Sequence, residues 1–332
     1  MNIVYIIGNG LDIGLGLKTR YLDFYKYYCS LDDGQRNEDV IKLRDSIAKG
    51  KEDWKDLEYQ LGQYTVNVKD VESMERICLD LSDSLREYLL REQEKAKAED
   101  FDRNCFISHL IHPESFLLPT DSEILYNGMS EIRDRSINII TLNYTDTLEK
   151  ILQLGRKGIA GSGIDPTGIR WNFNSLLHVH GTLSGSPLVG VDNVTQIANK
   201  EFAANEDLRE LMLKPNANVA IKSGIDNRCR DLIRAANLIV LLGVSLGETD
   251  LIWWKEVGAR VKKGAKAVIL HHDAGLGIEH HENLIARYER RVRSDFIKKA
   301  SLEGAEKDWR NGVFVTFNRT FLRGVAKSQA LL

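Results

Sequence analysis

The sequence predicts an α/β protein on a doubly wound, mostly parallel sheet of Rossmann-like type, with a helical insertion. Three observations lead there. Short apolar runs of strand length recur, separated by stretches with the apolar spacing of helices. The first of these runs, Ile3 to Ile7, opens directly into Gly8-Asn9-Gly10-Leu11-Asp12. A highly charged block between the first two strands carries a three- and four-residue apolar stripe and no strand pattern.

Taken in order, Ile3 to Ile7 is short and unbroken, as a fully buried strand requires. A buried strand opening into Gly-x-Gly brings backbone N–H groups close to a phosphate, and glycine there tolerates positive φ and close ligand approach. On that reading Gly10→Val lowers nucleotide affinity and leaves the fold intact. The same residues also suit a plain strand-to-helix turn, since Ile13 replaces the third glycine and no Gly-Lys-Ser/Thr follows. Leu17 to Tyr25 begins a short helix. Residues 34–135 form the insertion, where Trp54, Leu57, Glu58 and Leu61 make a short stripe. Val71, Met74, Ile77, Cys78, Leu81, Leu85, Tyr88 and Leu89 make a long one.

Alternation resumes with a strand at Ile137–Leu142 and a helix at Thr145–Leu154. A glycine-rich loop from Gly155 to Gly168 leads to a strand through Leu176–Val179, and Leu188–Val191 is a further short strand. Helices follow at Asn205–Leu213 and up to Ala236, then the most apolar strand, Leu238–Leu242. A helix near Leu251–Val261, a strand at Ala267–Leu270, a charged helical stretch from Glu282 to Lys307 and a last strand at Val313–Phe317 complete the chain. No stretch is rich enough in Pro, Gly and Ser to be a linker, so residues 1–332 read as one domain.

A net charge of −3 argues against a general nucleic-acid or membrane surface. No apolar run reaches bilayer length, and the N-terminus lacks the basic and apolar regions of a signal peptide, which predicts a cytoplasmic protein. Cys29, Cys78, Cys105 and Cys229 are far apart and form no C-x-x-C, which suits reduced thiols rather than disulfides or a zinc knuckle.

In parallel sheets ligands bind beyond the carboxyl ends of the strands. Four such ends carry polar, turn-forming residues: Gly8–Asp12, Thr141–Asp146, His178–Leu183 and Gly243–Asp250. Singly, Asn143 can be a helix N-cap, His180 a hydrogen-bonded edge histidine and Ser245 a cap. Together they read as a site. His178 and His180 lie two apart on one strand face, so His180 borders the ligand and His178 sits one pleat deeper.

Several of these stretches carry a resemblance. Gly8-Asn9-Gly10-Leu11-Asp12, Gly16-Leu17-x-Thr19-x-Tyr21-x-Asp23-Phe24 and Trp54-x-Asp56-Leu57-Glu58 resemble the AbiH family of bacteriophage abortive-infection proteins. So do Asn143-Tyr144-Thr145-Asp146-Thr147-Leu148-Glu149, His178-x-His180-Gly181-Thr182-Leu183 and Ser245-Leu246-Gly247-x-x-Asp250. The order Gly-x-Gly, Asn-x-x-Asp, His-Gly and Gly-x-Ser-Leu is in turn similar to the sirtuin-like NAD-binding fold. That resemblance implies an NAD-consuming enzyme, with Asn143 positioning water and ribose and His180 as general base. Asp146 corresponds to the acidic residue on the carboxamide, though the spacing there is one residue shorter. Nucleotide contacts fall to Gly8, Asn9, Gly10, Asp12, Arg20, Gly243, Ser245 and Asp250, with Gly243 and Ser245 on the adenosine side. Glu58 and His178 are further candidates. The four-cysteine zinc module of protein deacylases has no counterpart here, and no metal is expected.

The implied activity is cleavage of NAD+, as substrate, to nicotinamide and ADP-ribose by a homo-oligomeric antiphage effector that answers to a phage or host trigger protein. Two alternatives remain open. One is a non-catalytic nucleotide-binding sensor acting through a partner. The other is a metal-dependent hydrolase using His178, His180, His271-His272-Asp273 and His280-His281.

Overall fold

The computed structural model describes residues 1–32, 37–50, 53–129, 131–154, 161–271, 282–304, 309, 312–317 and 321–327. Its strands are β1 (Asn2–Ile7), β2 (Asp134–Thr141), β3 (Gly161–Ile164), β4 (Arg170–His178), β5 (Leu238–Leu242), β6 (Lys266–His271) and β7 (Val313–Phe317). They form one sheet in the order β3-β4-β2-β1-β5-β6-β7. All neighbours are parallel except β3 and β4, which make an antiparallel hairpin. From β1 the chain builds outward through β2 to β4 on one side, then through β5 and β6 to β7 on the other. The loops leaving β1, β2, β4, β5 and β6 therefore all emerge at the same edge.

The apolar runs form central strands because both faces of the sheet are covered. Ile3, Tyr5 and Ile7 point into a core with Phe106, Leu110 and Leu148. Val4 and Ile6 point into a second core with Ile233, Trp254, Val257 and Phe296. An alternating strand would have placed a polar residue in one of these cores.

The charged block is helical, as its spacing predicts. It folds as helices Glu38–Lys49, Leu57–Tyr64, Val71–Gln93, Arg103–Ile111 and Pro119–Asn127. Asn37, Asp56, Asp70 and Asp102 cap the first four through their side chains, each accepting from an amide two or three residues on. The stripe Met74, Ile77, Leu81 and Leu85 packs into a third core with Tyr28, Leu43, Trp54 and Leu57. No helix among the described residues is long and apolar enough to cross a membrane.

Three local expectations are corrected. Leu188–Val191 is no strand, and only Val191 makes a lone bridge, to Leu213. Part of the glycine-rich loop is β3, whereas Gly155 and Gly158 lie outside the described residues. Gly163 fits closely there, since a Cβ would stand 3.1 Å from the Trp171 indole across the hairpin. β4 starts already at Arg170, in a polar, largely exposed stretch that pairs with the short edge strand β3.

Gly10 holds the third correction. A Cβ there would lie 2.5 Å from the Gly243 Cα, and one on Gly8 would lie 2.8 Å from the Gly243 oxygen. Gly10 N–H also donates to the Gly243 carbonyl at 2.8 Å. Of the three, Gly243 has positive φ, at 63°, and Gly8 and Gly10 do not. These glycines thus let two strand-end loops touch backbone to backbone, so the fold is not indifferent to a side chain at Gly10. Gly10→Ala is expected to cost about 1–3 kcal/mol of stability through overpacking. Thermal unfolding of the unliganded variant checks this, and a parental melting temperature contradicts it.

Candidate functional site

A cavity of about 820 Å³ opens at the strand edge just described, within the size range of small-molecule and cofactor sites. The strand-end loops supply Gly8–Gly10, Asn143–Thr145, His180 and Gly243–Asp250, and the end of β6 supplies His271. The opposite wall comes from the helical insertion and the segment before it, through Arg20, Tyr21, Lys55, Asp56 and Glu58. The insertion thus closes a cleft that the sheet alone would leave open.

Of the residues singled out from the sequence, Gly8, Asn9, Gly10, Asp12, Arg20, Glu58, Asn143, His180, Gly243, Ser245 and Asp250 line this one cavity. Asp146 and His178 do not. Asp146 instead pairs with Lys150 at 2.8 Å, one helical turn on. His178 ends β4, its Nδ1 2.9 Å from the Asn143 carbonyl and its Nε2 2.8 Å from Glu149 Oε1. It therefore supports the Asn143 loop from below. Burial opposes its protonation, but the bond and charge of Glu149 outweigh this and raise its pKa. His180 lies beyond the end of the strand rather than on it, which carries it into the cavity.

Asn143 is the most telling residue. Its side chain is buried, and neither the amide nitrogen nor the oxygen has a hydrogen-bond partner among the described residues. It caps nothing, because the helix that follows, Thr147–Leu152, takes Asp146 as its N-cap. Buried polar groups are normally paired, so an orphaned amide on a cavity wall is free to pair with a molecule bound there.

Asp12 is similar. Its Oδ2 accepts from the Thr145 hydroxyl at 2.6 Å, and its Oδ1 is buried without a partner among the described residues. Burial raises its pKa from 3.8 to about 6, against hydrogen bonds from Thr145 and Thr147 that lower it. A raised carboxyl pKa means the protonated form is favoured by folding, so that stability is present below 3.8 and lost as pH rises through about 6. Asp12→Asn is expected to remove on the order of 2–3 kcal/mol of this loss between about pH 4 and pH 8. Chemical denaturation at the two pH values checks it, and an unchanged slope contradicts it. Burial likewise pushes Asp56, which caps the helix Leu57–Tyr64, up to about 6.

Asn9 turns inward, its amide donating to the Thr19 carbonyl while its oxygen accepts from the Thr19 hydroxyl. It pins the chain before Arg20 more than it offers a ligand group. The exposed Arg20 guanidinium has no partner among the described residues, so it stands free at the cavity rim.

Behind the wall runs a chain of buried charges. His180 Nε2 lies 3.3 Å from Asp250 Oδ1, and Lys214 Nζ lies 3.1 Å from the same oxygen and 2.9 Å from Glu58 Oε2. The Tyr144 hydroxyl completes it, 3.0 Å from Glu58 Oε1. Burial opposes ionisation of Asp250, but Lys214 and His180 outweigh it and hold its pKa below the usual carboxylate range. Sequence reading missed Lys214 entirely, and a single lysine before Pro215 offers no signal. Asp56 and Tyr144, by contrast, stand inside motif stretches already noted.

Among the described residues no group of three or more His, Cys, Asp or Glu side chains is arranged to hold a metal ion. His272, Asp273, His280 and His281 lie outside the described residues.

Comparison with known families gives one match. A family model described as Bacteriophage abortive infection AbiH matches residues 4–272, a span that contains every residue of the cavity except Lys299. No curated protein matches the chain.

Proposed function

The chain belongs to the AbiH family of bacteriophage abortive-infection proteins, and from that premise we propose that it is an NAD+ glycohydrolase, releasing nicotinamide and ADP-ribose. The observation that carries this reading is the orphaned Asn143 amide in the same cavity, of dinucleotide scale, that His180 lines. The strand order supports it. Leaving out the β3 edge strand, the sheet reads third-second-first-fourth-fifth-sixth, the order of doubly wound dinucleotide-binding domains, whose ligands sit where the order reverses. That reversal lies between the loops after β1 and β5, which meet at Gly10 and Gly243. The sirtuin-like assignment of Asn143 and His180 agrees with their place on this edge.

The orphaned polar atoms of Asn143 and Asp12 fit a ligand rich in hydroxyl groups, and the free Arg20 at the rim fits its phosphates. Nicotinamide leaves through a transition state in which positive charge develops on the ribose, as in glycoside hydrolysis. The bond from the anomeric carbon to the pyridinium nitrogen breaks, its electron pair going to nicotinamide. Water adds to the anomeric carbon and gives its proton to His180. Asn143 can donate and accept at once, so it aligns the ribose hydroxyl and the water. His180 takes the proton because an imidazole is a competent base near neutrality, and Asp250 orients the ring and stabilises the imidazolium formed.

The test is incubation of the purified chain with NAD+ in water enriched in heavy oxygen, followed by mass spectrometry. Hydrolysis places one heavy oxygen on ADP-ribose for each nicotinamide released. Tight binding with intact NAD+ would identify a non-catalytic sensor instead.

A further inference from the structure

Lys214 is the one member of the buried ionic chain that no motif marks, and it sits at the chain's centre. It opens the helix Lys214–Ala220, and its side chain is 5 % exposed. Its two carboxylate partners each reach a different strand-end loop. Asp250 faces His180 Nε2 at 3.3 Å, and Glu58 faces the hydroxyl of Tyr144, the residue after Asn143, at 3.0 Å. We propose that Lys214 is a positioning residue for the hydrolysis put forward above, on which this inference rests. It clamps Asp250 against His180 and Glu58 against Tyr144, so that the loops bearing His180 and Asn143 keep one mutual geometry.

Stability alone is a poor reason for this arrangement, because a buried ion pair gains little over well-packed apolar side chains. What the ammonium provides is a fixed point. It holds two carboxylates from separate segments, the helix Leu57–Tyr64 of the insertion and the loop after β5, within about one side-chain length of each other. Its charge also sets the field at His180. The groups facing that ring are Asp250 and Lys214, Asp226 on the helix Ile225–Ala235, and Asp192 across a small cavity of about 10 Å³. The Tyr144 ring lies 6.5 Å away. Asp226 has the Arg230 guanidinium acting on it and Asp192 the Lys255 ammonium, so removing Lys214 takes away the cation that compensates Asp250, the carboxylate against the imidazole. The field at the imidazole is then more negative than in the parent.

The experiment uses the full chain as Lys214→Met and as Glu58→Gln/Lys214→Met, the second leaving fewer unpaired buried charges if the first fails to fold. Histidine-labelled protein is titrated by NMR, with the His180 signal identified by its absence in His180→Ala. Nicotinamide release is measured across pH alongside. The expected result is a His180 midpoint raised by about one pH unit, with the acid limb of the rate profile moving equally. At neutral pH kcat falls about tenfold or more while KM stays within about threefold. A purely structural lysine would lower the melting temperature and leave the midpoint in place. A folded variant with the parental midpoint, or a shifted midpoint with parental turnover, overturns the positioning role. If the parent itself releases no nicotinamide, the hydrolysis reading falls separately, and the His180 midpoint alone then decides whether Lys214 positions that ring.

Discussion

His180→Ala is expected to bind NAD+ about as well as the parent and to lose hydrolysis by about 10²–10⁴-fold, the usual contribution of a general base. A group used in the transition state lowers kcat when removed and leaves ground-state affinity largely alone. The fold should tolerate the change, because Asp250 keeps Lys214 as its partner at 3.1 Å. His178→Ala is the matched control. That ring contacts Glu149 and the Asn143 carbonyl and stands outside the cavity, so its loss should act through stability and a modest fall in rate. Calorimetric NAD+ affinity and nicotinamide release for both variants decide the matter. Full turnover in His180→Ala with none in His178→Ala would exchange their roles.

The second large effect is at Asn143. Asn143→Ala is expected to abolish turnover by about 100-fold or more through loss of substrate and water alignment. It should also leave the unliganded protein as stable as the parent or more so, by up to about 1–3 kcal/mol, because a buried donor and acceptor without partners are removed. The opposite pairing of changes belongs to a capping asparagine, whose loss destabilises a helix and spares chemistry. Thermal unfolding without ligand and nicotinamide release separate the two. A destabilised, fully active variant would remove Asn143 from the site.

Much of this was legible because parallel strands buried on both faces leave a plain mark. Leu238–Leu242 and Val313–Phe317 are strands at the expected residues, and the stripe from Val71 to Leu89 lies within one helix. The strand ends were legible for the same reason, since polar turn residues directly after apolar runs fall on one edge of such a sheet. The rest depends on contacts between distant segments. That Gly10 also serves the fold is seen only with the Gly243 backbone against it. Asp146 and Asn143 are three residues apart, yet a single turn sends one to Lys150 and the other to the cavity wall. β3 hides in glycines that resemble a loop, and only the neighbouring strand shows that one of them, Gly163, lies against the Trp171 ring. Lys214 has a partner on each of two segments far off in sequence, and local pattern carries no trace of a charge that only tertiary folding buries.

The most direct measurement is the initial rate of nicotinamide release from NAD+ by the purified parent chain, with Asn143→Ala and His180→Ala run beside it at equal concentration. The predicted result is steady release by the parent, matched mole for mole by ADP-ribose, and at least about 100-fold slower release by both variants while each still binds NAD+. NAD+ left intact by the parent, or released nicotinamide at the same rate from all three proteins, would contradict the assignment of hydrolysis to this cavity.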